Sequence, residues 1–340
     1  MKTFFLIFSL FVGTISFGQK IESSLTNAMQ AMEKDNQFKH AIISLYVVDS
    51  KTGKVIFDKN SQMGLAPASC LKVVTSAAAF ELLGKDYRYK TDIGYDGSIE
   101  DGKLNGNLFI KALGDPTLGS WRWYATKEDT IRQKLISIHK EKKITTITGD
   151  LIIDDSRWET QATPRGWTWD DIGNYYGAGA RGLNWHENQY DLILKPGKKE
   201  GDPVEIVGTE PELQVSVLIN ELTTGKPGSG DKSVIYLPED GLIGFVRGTV
   251  AAGTNNFTVS GSMPNASISF TYEVEKLLKN NNISLIGKSK TSVLYLMNKQ
   301  KLPSASKILM SLYSPPLDSI NYWFLQKSVN LFGEAFVKTI

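Results

Sequence analysis

Hydrophobic and polar residues follow three different rhythms along the chain. Ser44-Leu45-Tyr46-Val47-Val48-Asp49 and Lys54-Val55-Ile56-Phe57-Asp58 are β-type runs around Ser50-Lys51-Thr52-Gly53, the signature of a hairpin. Upstream, residues 23–37 predict a polar helix. Downstream, Pro67-Ala68-Ser69 opens a helix that continues through Leu71, Val73, Val74, Ala77, Phe80 and Leu83 to a C-capping Gly84. That helix is apolar on nearly every face, which predicts a buried central element. From Asp92 to about Leu302 the rhythm changes to short alternating runs such as Asn107-Leu108-Phe109-Ile110 and Val204-Glu205-Ile206-Val207, separated by Gly and Pro. This stretch predicts a mostly β region with amphipathic helices at about 128–142 and 270–280. Helical character returns over 317–337.

The first residues add an address. Met1-Lys2, an apolar run from Phe4 to Phe17 and the small residues Ser16 and Gly18 describe a secretory signal peptide cut after Gly18. The run is shorter than the roughly 20 apolar residues that span a bilayer, and no later stretch is apolar enough. The mature chain is expected to be soluble and exported, to the periplasm or the exterior of the cell envelope. Its 322 residues (19–340) exceed what one compact domain usually needs. A net charge of +2, without a Lys/Arg block, argues against nucleic acid as a partner. The single Cys70 excludes an internal disulfide. His40, His139 and His186 are scattered, each expected at the surface or locally bonded, so neither a metal site, a Ser-His-Asp triad nor a cofactor is predicted.

The chemistry is carried by a serine and a lysine. Ser-x-x-Lys occurs at Ser69, Ser137, Ser229 and Ser304. Ser229 lies in a Gly/Pro loop, Ser304 follows Pro303, and Ser137 belongs to a charged helix that leaves Lys140 in water. Only Ser69 begins an apolar helix, where i, i+3 spacing sets Lys72 on the same face one turn on. A lysine in apolar surroundings loses its proton more easily and can accept the serine's. The helix N-terminus adds positive potential near a developing oxyanion. The alternative is that Ser69 only caps the helix. Ser328-Val329-Asn330 forms a polar corner between two apolar helical runs, able to project a hydroxyl and a carboxamide into a cleft. Ser319-Ile320-Asn321 is a competing copy.

These residues resemble the penicillin-recognising D-alanyl-D-alanine carboxypeptidases, specifically the class C low-molecular-mass penicillin-binding proteins. Leu65-Ala66-Pro67-Ala68-Ser69-Cys70-Leu71-Lys72 is similar to the family's nucleophile helix, usually Pro-Ala-Ser-Thr-x-Lys, with Cys70 in place of Thr. Gly114-Asp115-Pro116-Thr117-Leu118, Gly149-Asp150-Leu151-Ile152-Ile153-Asp154 and Gly177-Ala178-Gly179-Ala180 resemble landmarks of its inserted domain. The 259 residues between Ser69 and Ser328 match class C rather than β-lactamases. The resemblance implies an α+β fold: a transpeptidase-like module of helices on an antiparallel sheet, incomplete here, in segments 19–91 and 303–340, interrupted by a β-rich insert, 92–302. It implies that Ser69 is acylated by a stem peptide ending in D-Ala-D-Ala, with Lys72 as base, Ser328 as proton relay and Asn330 as holder of substrate and Lys72. Endopeptidase activity on crosslinked peptides is a further possibility. Penicillins would acylate Ser69 and stay. Asp154 and Trp158 are implied as contacts to the peptide side chain.

The family also needs Lys-Thr/Ser-Gly downstream of Ser-x-Asn, to face the substrate carboxylate and complete the oxyanion hole. The sole Lys-Thr-Gly, Lys51-Thr52-Gly53, precedes the nucleophile and reads as a turn. The expectation is therefore an N-terminal portion of a DD-peptidase, inactive or nearly so as given, whose longer parent is active. A non-catalytic wall-binding or regulatory relative and, less favoured because of the insert, a β-lactamase are the alternatives.

Overall fold

The computed structural model describes residues 16–214, 216–253 and 256–340. The signal-peptide reading falls mainly on residues 1–15, outside the described residues. The chain divides into two compact units, 1–68 and 69–340, parting inside the expected segment 19–91.

In the first unit, helix α1 (Ser16–Lys34) precedes an antiparallel hairpin of Leu45–Val48 and Val55–Lys59. The turn forms as its sequence predicts. Asp49 Oδ1 accepts from the backbone N–H groups of Lys51 and Thr52 and from the Thr52 hydroxyl, and Gly53 takes the positive φ of 71°. Lys51-Thr52-Gly53 is thereby a turn.

The second unit is built on a five-stranded sheet in the order Ser289–Thr291, Leu151–Asp154, Leu108–Ala112, Lys90–Tyr95, Lys307–Tyr313. The last two pairings are antiparallel and the first two parallel. The mixed character has a cause in the connections. Leu108–Ala112 crosses to Leu151–Asp154 through helix α3 (Glu128–Glu141), and a parallel neighbour requires such a crossover. Ile131 and Leu135 of α3 share one core with Phe270, Val274 and Leu278 of the later helix Ala266–Asn280 and with Ile93, Ile110 and Ile153 of the sheet. Two three-stranded sheets, built on Gln189–Lys195 and Ile243–Ala251, and a four-stranded one complete the β-rich stretch.

A second core joins residues from opposite ends of this unit. A 3-10 turn (Ala68–Cys70) leads into helix α2 (Leu71–Leu83), ended by Gly84 at φ 82°. Lys307–Tyr313 pairs along Lys90–Tyr95 and so returns the chain to the residues that follow α2. There the helices Leu317–Lys327 and Asn330–Thr339 pack Ile320, Phe324, Leu331, Phe332 and Phe336 around Ala79 and Tyr89. Phe324 and Phe336 meet edge to face at 5.3 Å. Tyr89 ties the group to the chain's end, its hydroxyl 3.0 Å from that of Thr339.

The expectation of a wholly buried α2 does not hold. Ser76 and Ala79 are buried, whereas Val73 and Val74 are each 64% exposed. An apolar composition makes several faces suitable for packing, but the two C-terminal helices cover only one. His139 also departs from expectation: it lies in the core, and burial pushes its imidazole down to about 4, so it is neutral.

Candidate active site

The packing of α2 against the two C-terminal helices decides what meets at the site. Ser69 stands one turn before Lys72, at the mouth of α2. The helix Leu317–Lys327 stops at Ser328, which takes a left-handed conformation (φ 56°, ψ 37°) and turns the chain into Asn330–Thr339. This short corner points both side chains at α2. Ser328 Oγ donates to Ser69 Oγ at 3.0 Å, Lys72 Nζ lies 3.1 Å from the same oxygen, and Asn330 Oδ1 accepts from Lys72 Nζ at 2.6 Å. Asn330 Nδ2 donates to the carbonyl of Tyr176 at 2.8 Å, which fixes the amide's orientation. All four residues of the expected catalytic set are therefore in one hydrogen-bonded chain.

The electrostatics suit proton transfer. Burial lowers the Lys72 ammonium below the ordinary lysine range, and the Glu334 carboxylate acts in the opposite direction. Burial likewise raises Glu334, opposed by Lys338 and Lys72. Lys72 Nζ donates both to Asn330 Oδ1 and to Ser69 Oγ, which holds the amine beside the hydroxyl. Ser69 opens on a cavity of about 370 Å³ that Arg122, Tyr175, Tyr176, Gln189, Lys327 and the Ser328 corner also line.

The competing motifs are occupied elsewhere. Ser319 accepts from Trp123 Nε1 at 2.8 Å, and Asn321 is buried. Ser137 bonds back to the Lys134 carbonyl within α3. Asp154 and Trp158 do not join the Ser69 cavity. Asp154 Oδ1 accepts from the backbone and hydroxyl of Ser156, and Trp158 lies against Gly114 and lines a different cavity with Arg181 and Tyr295. Their expected contacts to the peptide side chain therefore lie away from the Ser69 cavity, and the Trp158 indole N–H has no hydrogen-bond partner among the described residues. Sequence reasoning missed Arg122 and Tyr176. The aromatic-flanked cation in Trp121-Arg122-Trp123 was a usable signal; Tyr176 contributes its carbonyl, which no side-chain pattern reveals. Among the described residues no cluster of His, Cys, Asp and Glu suits a metal ion.

A Ser-x-x-Lys pair faced by a Ser-x-Asn corner on an α+β fold is the arrangement expected from the resemblance to the penicillin-recognising peptidases. The chain belongs to the D-Ala-D-Ala carboxypeptidase 3 (S13) family, whose model matches residues 25–340. It is 24% identical over 288 residues to the D-alanyl-D-alanine carboxypeptidase DacB of Haemophilus influenzae, covering 84% of this chain and 56% of that protein. It is 26% identical over 253 residues to a D-alanyl-D-alanine carboxypeptidase of Actinomadura sp. strain R39, covering 71% and 42%. The crystal structure of penicillin binding protein 4 (dacB) from H. influenzae superposes with a TM-score of 0.68 at 22% identity, over 84% of this chain and 59% of that one. The chain thus spans little more than half the length of the H. influenzae protein. Among the described residues, no helix is long and apolar enough to cross a membrane.

Proposed function

We propose that this chain carries the acylation machinery of a serine-type D-Ala-D-Ala carboxypeptidase acting on peptidoglycan stem peptides. The observation that carries the reading is the convergence of Lys72 Nζ and Ser328 Oγ on Ser69 Oγ, at 3.1 and 3.0 Å. Lys72 takes the Ser69 proton as Oγ attacks the carbonyl of the terminal peptide bond. Ser328 passes a proton to the departing D-alanine, and water hydrolyses the ester left on Ser69. Asn330 holds Lys72 in place through Oδ1. Penicillins acylate the same oxygen. The segments 19–91 and 303–340 act as one transpeptidase-like domain around the insert 92–302, a reading supported by the core shared between α2 and the last two helices. The basic, apolar N-terminus directs export to the periplasm or the envelope exterior.

The test is D-alanine release from a peptide ending in D-Ala-D-Ala. Release that disappears in Ser69→Ala supports the reading and overturns the expectation that the chain as given is inactive or nearly so. Peptide binding without release, in a protein with native stability, would favour a non-catalytic wall-binding relative instead.

A further inference from the structure

The cavity at Ser69 is lined by charge of one sign. Its charged lining side chains are Arg122 and Lys327, among hydroxyls, amides and tyrosine rings. Lys327 is exposed, but Arg122 is built in, its side chain only 13% exposed. Arg122 Nε and Nη2 donate to the Glu187 carboxylate at 2.7 and 3.1 Å, and Glu187, fully buried, also accepts from Ser120 Oγ at 2.5 Å.

The backbone that presents Glu187 is unusual. His186, Glu187 and Asn188 have φ of 54°, 52° and 50°, a left-handed conformation that non-glycine residues rarely adopt and three in succession hardly ever do. Asn188 locks the turn, accepting from Trp185 N–H and donating to the Gly179 carbonyl. The guanidinium carbon lies 5.4 Å from the Trp121 ring and 5.1 Å from that of Trp323. A guanidinium has five N–H donors. Glu187 uses two, so three are left for a ligand on a fork that matches a carboxylate.

We propose that Arg122 is a specificity-determining residue of this cavity, binding a carboxylate carried by the ligand, with Glu187 as its positioning residue. The proposal rests on the reading that the cavity takes acyl-donor ligands. A charge-assisted contact of this kind corresponds to about ten- to hundredfold in affinity.

The test measures dissociation constants of the Ser69→Ala protein for two penicillins whose side chains differ only in a carboxylate against its carboxamide. The carboxylate member is expected to bind about ten- to hundredfold tighter. Arg122→Gln brings the ratio near one, Arg122→Lys keeps part of it, and Glu187→Gln lowers it. The double variant Arg122→Gln/Glu187→Gln leaves no unpaired buried charge, so the comparison stands even where Arg122→Gln fails to fold. A ratio near one in the parent, no binding of either penicillin, or a ratio unchanged in the double variant overturns the proposal. Binding needs no acyl transfer, so the two readings separate. A preserved ratio with no acylation of Ser69 sinks the catalytic reading alone, and acylation with a flat ratio sinks this one alone.

Discussion

Lys72 Nζ and Asn330 Oδ1 lie 2.6 Å apart although 258 residues separate them in sequence. The contact joins the helix that follows Ser69 to the corner between the helices Leu317–Lys327 and Asn330–Thr339. Lys72 is thereby held 3.1 Å from Ser69 Oγ instead of extending into water. Lys72→Met is expected to slow acylation of Ser69 by about 10²–10⁴, the range for a lost general base. Asn330→Ala is expected to slow it about tenfold, the effect of one lost charge-assisted hydrogen bond. Stopped-flow or quenched-flow acylation by a chromogenic β-lactam measures both, and rates unchanged in Lys72→Met would remove it from the mechanism.

The base role proposed for Lys72 has a pH signature. Burial places Lys72 below the ordinary lysine range, so the neutral, proton-accepting form grows as pH rises through that lowered value. Acylation should climb with pH on that limb. Glu334 favours the ammonium form, so Glu334→Gln should move the limb to lower pH. A limb moving to higher pH would contradict the assignment.

Asp115 should make stability pH-dependent in the opposite sense to most carboxylates. It is fully enclosed, with Oδ1 accepting from the N–H and hydroxyl of Thr117, and burial raises its carboxyl to about 6. Between the ordinary carboxylate value near 3.8 and about 6, the folded state binds more protons than the unfolded one. Stability from this group is therefore full below that window and falls as pH rises through it, by on the order of 3 kcal/mol. Asp115→Asn should flatten the difference in urea midpoint between pH 4 and pH 7.

The corner depends on a close approach of helices. A Cβ at Gly333 would sit 2.7 Å from the Phe324 ring, inside the packed pair that sets the angle at Ser328. Gly333→Ala should cost about 1–3 kcal/mol by overpacking and slow acylation as Ser328 and Asn330 shift. Thermal melts with parallel acylation rates check it; a native melting point would show that the helices yield without strain.

Much of this site was legible because its pieces are local. The apolar run after Ser69 marks a helix, and Ser328-Val329-Asn330 stands out as a polar break between apolar runs. Both motifs also had rivals whose fates follow from partners: Ser319 is taken up by Trp123 and Ser137 by its own helix. What the sequence hid is tertiary. The parallel pairing of Leu108–Ala112 with Leu151–Asp154 comes from the crossover through α3, whereas short apolar runs read the same in either direction. The exposed face of α2 reflects which neighbours reach it. The Arg122–Glu187 pair spans 65 residues and depends on a left-handed turn that no periodicity announces.

Ser69 is the proposed site of acylation, and Cys70 beside it is an exposed free thiol that makes the assignment a sharp one. The most direct measurement is incubation with labelled penicillin followed by peptide mapping by mass spectrometry. One penicilloyl adduct is expected, on Ser69, absent from Ser69→Ala and retained in Cys70→Ala. The position of the label, not its rate, decides. No adduct after prolonged incubation, an adduct mapped to another residue, or labelling undiminished in Ser69→Ala would contradict it.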